Sequence, residues 1–215
     1  MVAAGCTPTR VQPPPGWSPR PAAAEALVDR PVAPGRAWVQ LLISYGTITS
    51  HNVLRVGPVD ATDPPTGVMW DPAGAFGDEY IDWPRREDVL LESPDLATYW
   101  SFRRWLGDQH RGMSRTMLIL EWEVPAEVAA AMRRPLIEAH GGQGDFDSDI
   151  RGGWCGIAMA HFLRAYGGEA FPLGRGYLQG HPMARDLWAA KPPRRVIVVS
   201  RREPTLVYER DADTP

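Results

Sequence analysis

Few residues of this chain combine a reactive side chain with a local pattern that suits chemistry. Cys155 comes first, in Arg151-Gly-Gly-Trp-Cys-Gly-Ile-Ala-Met-Ala-His161. A glycine-rich stretch precedes it and an amphipathic, helix-spaced run follows, so the sulfur stands where a loop becomes a helix. Unsatisfied backbone N–H groups and roughly half a positive charge gather at such an end. Both favour a thiolate over a thiol. The same N–H groups suit the oxyanion that forms when an acyl carbon is attacked. Gly152 and Gly153 leave space for substrate beside the sulfur. The competing role is a small buried residue filling the core.

An ordinary thiol is only a few per cent thiolate at neutral pH, so a nucleophilic cysteine needs a base. The sequence offers 5 histidines. His110 and His140 fall in polar loops or at helix ends. His161 lies six residues past Cys155 on the same helix, about 600° of rotation and ~9 Å of rise away, and points elsewhere. His181 precedes a proline in a loop. His51 stands at the start of a strand, Ser50-His-Asn-Val-Leu-Arg-Val56. A hairpin from that strand to Gly67-Val-Met-Trp-Asp71, with equal arms, puts His51 opposite Asp71, Val53 opposite Met69 and Arg55 opposite Gly67. Opposed residues share a face, with Cβ atoms about 5 Å apart. A carboxylate there can bind the imidazole N–H, fix its tautomer and stabilise the imidazolium. A slip of one residue would break the pairing.

The elements that must position these residues follow from pattern. Residues 1–36 read as a disordered, Pro/Ala-rich tail, with Pro13-Pro-Pro-Gly16 at its centre. Strands are predicted over 37–44, 50–56 and 67–71, with a turn-rich stretch at 57–66. Ser93 is the expected N-cap of a helix entered through Pro94, its apolar face formed by Leu96, Tyr99, Trp100, Arg103 and Leu106, and Gly107 a possible end. Thr116–Val124 reads as a strand. Pro125–Ala139 reads as a helix kinked or split at Pro135. A polar loop, 141–153, leads to the helix Cys155–Tyr166, which stops at Gly167-Gly168. Pro182–Ala190 suits a short helix and Arg195–Ser200 a last strand. Residues 206–215 read as a polar C-terminal tail, leaving a single domain over 37–205. Strands interspersed with helices predict an α+β fold, helices packed on an antiparallel sheet.

Composition narrows the function. The net charge is −3, and no basic patch is interleaved with aromatics, which argues against nucleic acid. No apolar run approaches the ~18 residues of a membrane span. With 2 cysteines, neither a disulfide framework nor a zinc cluster can be built, and Cys6 lies in the tail. Ala3-Ala-Gly-Cys6 matches the end of a lipoprotein signal but lacks the basic and apolar stretches before it. Cys6 becomes a lipidation candidate only if the true start lies upstream. Most of the 9 tryptophans, among them Trp70, Trp83, Trp100, Trp105 and Trp188, are expected in the core. The alternative for them is a ligand-binding surface.

The order of His strand, polar strand, later strand, helix and Cys-headed helix resembles circularly permuted NlpC/P60 cysteine hydrolases of the papain-like type. The matching pieces are Ser50-His-Asn-Val-Leu-Arg-Val56, Trp70-Asp-Pro-Ala-Gly74 and Trp154-Cys-Gly-Ile-Ala-Met-Ala160, within residues 38–170. In ordinary papain-like chains the cysteine comes first; here the histidine precedes it by about a hundred residues. The resemblance implies a papain-like catalytic domain with Cys155 as nucleophile, His51 as base and Asp71 as orienting residue, and no metal or organic cofactor. It implies cleavage of an amide in peptidoglycan peptides by an antibacterial effector, cytoplasmic in its producer and exported by a non-Sec route to the periplasm. Its partners would be a peptidoglycan peptide or other acyl substrate, an immunity protein and a secretion system. Permuted relatives that act on lipid acyl groups supply a second enzymatic expectation. A catalytically silent binding or immunity module supplies a third. One departure is Trp154, where many permuted members carry a small polar residue; it leaves the side-chain part of the oxyanion hole unassigned. Asp145, Asp147 and Asp149 would suit a peptide carrying amines.

Overall fold

The computed structural model describes residues 17–21, 27–45, 50–72, 89–109, 116–140, 155–173, 177, 180–201 and 205–210. In chain order they form β1 (Trp17–Pro21), β2 (Arg36–Tyr45), β3 (Ser50–Val56), β4 (Val68–Trp70), β5 (Val89–Leu90), α1 (Leu96–Gln109), β6 (Thr116–Pro125), α2 (Ala126–Ala139), α3 (Cys155–Gly167), α4 (Gly180–Ala190), β7 (Arg195–Ser200) and β8 (Leu206–Arg210). The strands make one 8-stranded sheet in the order β1-β8-β7-β6-β2-β3-β4-β5, antiparallel at every pairing. The class is α+β. No described helix is long and apolar enough to cross a membrane.

The two longest apolar runs, in β2 and β6, take the middle of the sheet, where both faces are covered and alternation with polar residues is not needed. One face carries Leu41, Ile43, Leu54, Trp70, Leu118, Leu120 and Trp122, and packs against α2, α3 and α4. The other carries Leu42, Val53, Met69, Ile119 and Ile197, and packs against Leu96, Tyr99 and Trp100 of α1. Among the tryptophans expected in the core, Trp70, Trp100 and Trp188 are buried there. Trp83 and the side chain of Trp105 lie outside the described residues.

The α1 face also holds a row of buried polar groups. Arg55, Gln40, Glu121 and Arg195 stand opposite one another on β3, β2, β6 and β7, none more than 2% exposed. Gln40 Nε2 donates to Glu121 Oε2 at 2.7 Å, and Arg195 Nη2 donates to the same oxygen at 2.6 Å. Arg194 Nε reaches Glu121 Oε1 at 2.7 Å. Arg55 donates through both terminal nitrogens to Asp29, each at 2.8 Å, and lies over the Trp38 ring at 4.9 Å. Charges so deep are tolerated because each has a partner.

Several expectations are corrected. The domain expected over 37–205 extends past both bounds. Within the expected tail of 1–36, Trp17–Pro21 pairs with β8, Leu27 is buried, and Asp29 is the counter-ion of Arg55. Pro19 and Pro21 are admissible because β1 is an edge strand. Likewise Leu206–Arg210, expected as a tail, pairs with β7 on one side and β1 on the other. Residues 1–16, with Cys6, and 211–215 lie outside the described residues. The cap of α1 is Asp95 rather than Ser93: Thr98 N–H donates to Asp95 Oδ1 at 2.7 Å. Ser93 is engaged instead by Arg55, whose Nε donates to its Oγ at 2.6 Å. The helix also runs through Gly107 to Gln109. Pro135 neither splits nor ends α2, because Met132, Leu136 and Ala139 anchor the helix on both sides of it.

Candidate functional site

β3 and β4 position the histidine and the aspartate. Their observed register pairs Leu54 with Trp70, Arg55 with Met69 and Val56 with Val68. That is two residues away from the equal-armed hairpin. A slip of two keeps every side chain on its face, because the strand period is two. Extended along the strands, it makes Asp71 the diagonal rather than the direct neighbour of His51, and a diagonal pair lies within reach of a long side chain. The turn that sets this register ends at Gly67, whose φ of +71° suits glycine, and a Cβ there would lie 2.2 Å from the Val56 carbonyl oxygen.

The expected pair forms. His51 Nε2 is hydrogen-bonded to Asp71 Oδ1. Facing a carboxylate, Nε2 carries the proton, which makes Nδ1 the nitrogen able to accept one. Asp71 is fully buried, and the His51 side chain is 18% exposed, so the imidazole is held from within yet open on one side. Sequence reasoning missed a third member. Tyr99 Oη donates to Asp71 Oδ2 at 3.2 Å from α1. Burial pushes the Tyr99 phenol well above its ordinary value; the Asp71 charge acts the same way, and the charge of Arg103, with a hydrogen bond from it, acts against it. The phenol therefore stays protonated and donates. The only sequence signal for Tyr99 was its place on the apolar face of a predicted helix.

Cys155 is the first residue of α3. Its backbone lies among the unsatisfied N–H groups of the helix start, and no acidic residue in the first turn offsets their positive end. Its side chain lies outside the described residues. α3 packs against α2 and β3. Its last residue, Gly167, lies against Phe171, which packs on Trp122 of β6. Farther back, Phe162 packs on Trp70 of β4 at 5.1 Å. Cys155 precedes Phe162 by seven residues, ~10 Å of rise. α3 packs on the Leu54 and Trp70 face, whereas Asp71 and Tyr99 meet on the α1 face.

The other candidates separate. His140 Nδ1 donates to the Val89 carbonyl at 2.9 Å, a structural bond joining α2 to β5. His161 is a half-buried residue of α3. His110, Trp154, Asp145, Asp147, Asp149 and the side chain of His181 lie outside the described residues. Among the described residues no group of histidine, cysteine and acidic side chains is arranged to hold a metal. Comparison of the chain with protein-family models, with curated proteins and with solved structures finds no match.

Proposed function

We propose that this chain is a cysteine hydrolase that cleaves amide bonds, with peptidoglycan peptides as its substrate class. Cys155 is the nucleophile, His51 the base and Asp71 the orienting residue. The observation that carries the proposal is the buried Asp71 holding His51 through Nε2, on strands whose sequence called for that pair. In this mechanism His51 Nδ1 takes the proton of Cys155, and the sulfur attacks the carbonyl carbon. Backbone N–H groups at the start of α3 receive the oxyanion. The C–N bond breaks as the imidazolium gives its proton to the leaving amine, leaving a thioester. Water, deprotonated by His51, then releases the acid and restores the thiol. No cofactor takes part. Action as an exported antibacterial effector, with an immunity protein to restrain it, rests on the sequence resemblance alone.

The test is incubation of wild type and Cys155→Ala with purified muropeptides, followed by mass spectrometry. The expected result is loss of one defined peptide bond with wild type only, and abolished cleavage in His51→Ala. Cys155 should also react with iodoacetamide faster than a free thiol, and lose that advantage in His51→Ala. No cleavage despite a reactive thiol would redirect the substrate to lipid acyl esters. One observation favours a second reading, a catalytically silent binding or immunity module: α3 and the Asp71–Tyr99 contact occupy opposite faces of the sheet. Alkylation at the rate of a free thiol, in wild type and His51→Ala alike, with activity or toxicity intact in Cys155→Ala, would overturn the enzyme reading.

A further inference from the structure

Helix α1 plays no part in the mechanism above, yet it places two buried polar side chains behind its aspartate. Tyr99 and Arg103 are four residues apart, on one face of the helix. Neither is more than 5% exposed. Arg103 hydrogen-bonds Tyr99, and Tyr99 Oη lies 3.2 Å from Asp71 Oδ2. A guanidinium can only donate. It therefore occupies a lone pair of the Tyr99 oxygen and leaves the phenolic proton for Asp71. The other carboxylate oxygen accepts from His51 Nε2. The direction of every bond from Arg103 to His51 follows.

We propose that Tyr99, oriented by Arg103, is a positioning residue that sets the proton affinity of the His51–Asp71 pair. Its consequence for turnover rests on the cysteine-hydrolase reading; its effect on the pair does not. A donor on Asp71 stabilises the more negative member of each protonation step, so it lowers the pH at which the pair takes up a proton. Removing the donor moves that titration upward. Among the described residues, the other charged groups on this face have partners of their own. Arg55, on β3, is tied to Asp29, and Glu121, on β6, to Arg194, just before β7, and to Arg195 of β7. Arg201, just past β7, donates to the Arg104 carbonyl of α1. Ser44 of β2, opposite His51, and Met117 of β6, opposite Ser44, carry no charge.

The experiment is an NMR titration of the histidine ring protons in full-length wild type, Tyr99→Phe and Arg103→Met. The His51 signal is assigned by its loss in His51→Gln, and His140, at the end of α2 and bonded to the Val89 carbonyl rather than to a titrating side chain, is the internal control. Tyr99→Phe should raise the His51 titration by about one pKa unit, the size of one hydrogen bond to a charged group. Arg103→Met, which removes a buried positive charge as well as the bond that orients Tyr99, should move it in the same direction, with His140 unchanged in both. The pH profile of Cys155 alkylation should shift upward in parallel. An unmoved or lowered His51 titration in folded Tyr99→Phe overturns the proposal. If that variant does not fold, an unmoved titration in Arg103→Met does so. A shifted His51 with alkylation indifferent to His51 keeps the positioning role and removes the hydrolase reading; fast, His51-dependent alkylation with an unmoved titration does the reverse.

Discussion

Asp71 has no solvent to stabilise its charge, so its two oxygens depend on His51 and Tyr99. Asp71→Asn keeps the size of the side chain but presents an amide with both donor and acceptor ends, so the imidazole tautomer is no longer fixed. On the proposed mechanism, cleavage should fall by about 10²–10⁴-fold, read as kcat on a muropeptide, with little change in the far-UV circular dichroism. The pairing of His51 with Asp71 was legible in the sequence because strand parity is robust: an error of two in register left both residues on one face. Tyr99 was not legible. Helical spacing identifies a buried residue, but which carboxylate its hydroxyl meets depends on how α1 docks on the sheet. The thiol was legible as a helix start and no further, since spacing within α3 says nothing about which sheet face that helix covers.

At the scale of elements, short polar contacts fix where helices and turns begin. Asp95 accepts hydrogen bonds from Thr98 N–H and Thr98 Oγ1. The Thr98 backbone bond is the main cause holding the Asp95 carboxyl below its usual range. A depressed pKa stabilises the fold above the unfolded-state value, and that contribution fades as pH falls through the folded-state value. Asp95→Ala should therefore cost about 1 kcal/mol at neutral pH, and urea melts of variant and wild type should converge in acid. Ser93-Pro94 reads as the cap from sequence; Arg55, thirty-eight positions away in the chain, claims the serine instead. Gly67→Ala should destabilise by about 1–3 kcal/mol, since the new Cβ meets the Val56 carbonyl in a left-handed turn. The same melts read the loss, and disturbance of the β3–β4 register should appear as a changed His51 titration.

At the scale of the whole molecule, the class was legible because β2, β3, β6 and β7 announce themselves by apolar runs, and α2 and α3 by their spacing. The outer strands do not. β1 contains two prolines, and β8 is a five-residue segment that ends in two charged residues; each becomes a strand only because a neighbour supplies a ladder. The segment around Asp29 buries little beyond Leu27, and it supplies the acceptors that Arg55 and Arg195 need. Glu121→Ala would leave the buried Arg195 without its carboxylate and the half-buried Arg194 with Glu123 alone, and should cost about 3–5 kcal/mol in a urea melt. Glu121→Gln, which keeps an acceptor, should cost less.

The pairing of β1 with β8 has one more consequence. Trp17 stands in register opposite Arg210, so the two ends of the described chain meet at a distance of about 5 Å. A short added loop would join them into a closed ring. Opening that ring between His140 and Cys155 would give a chain that begins with the helix of the thiol and reaches the imidazole strand later, with every pairing of the 8-stranded sheet retained. The succession of cysteine and histidine along the polypeptide is thus separable from the packing that holds them.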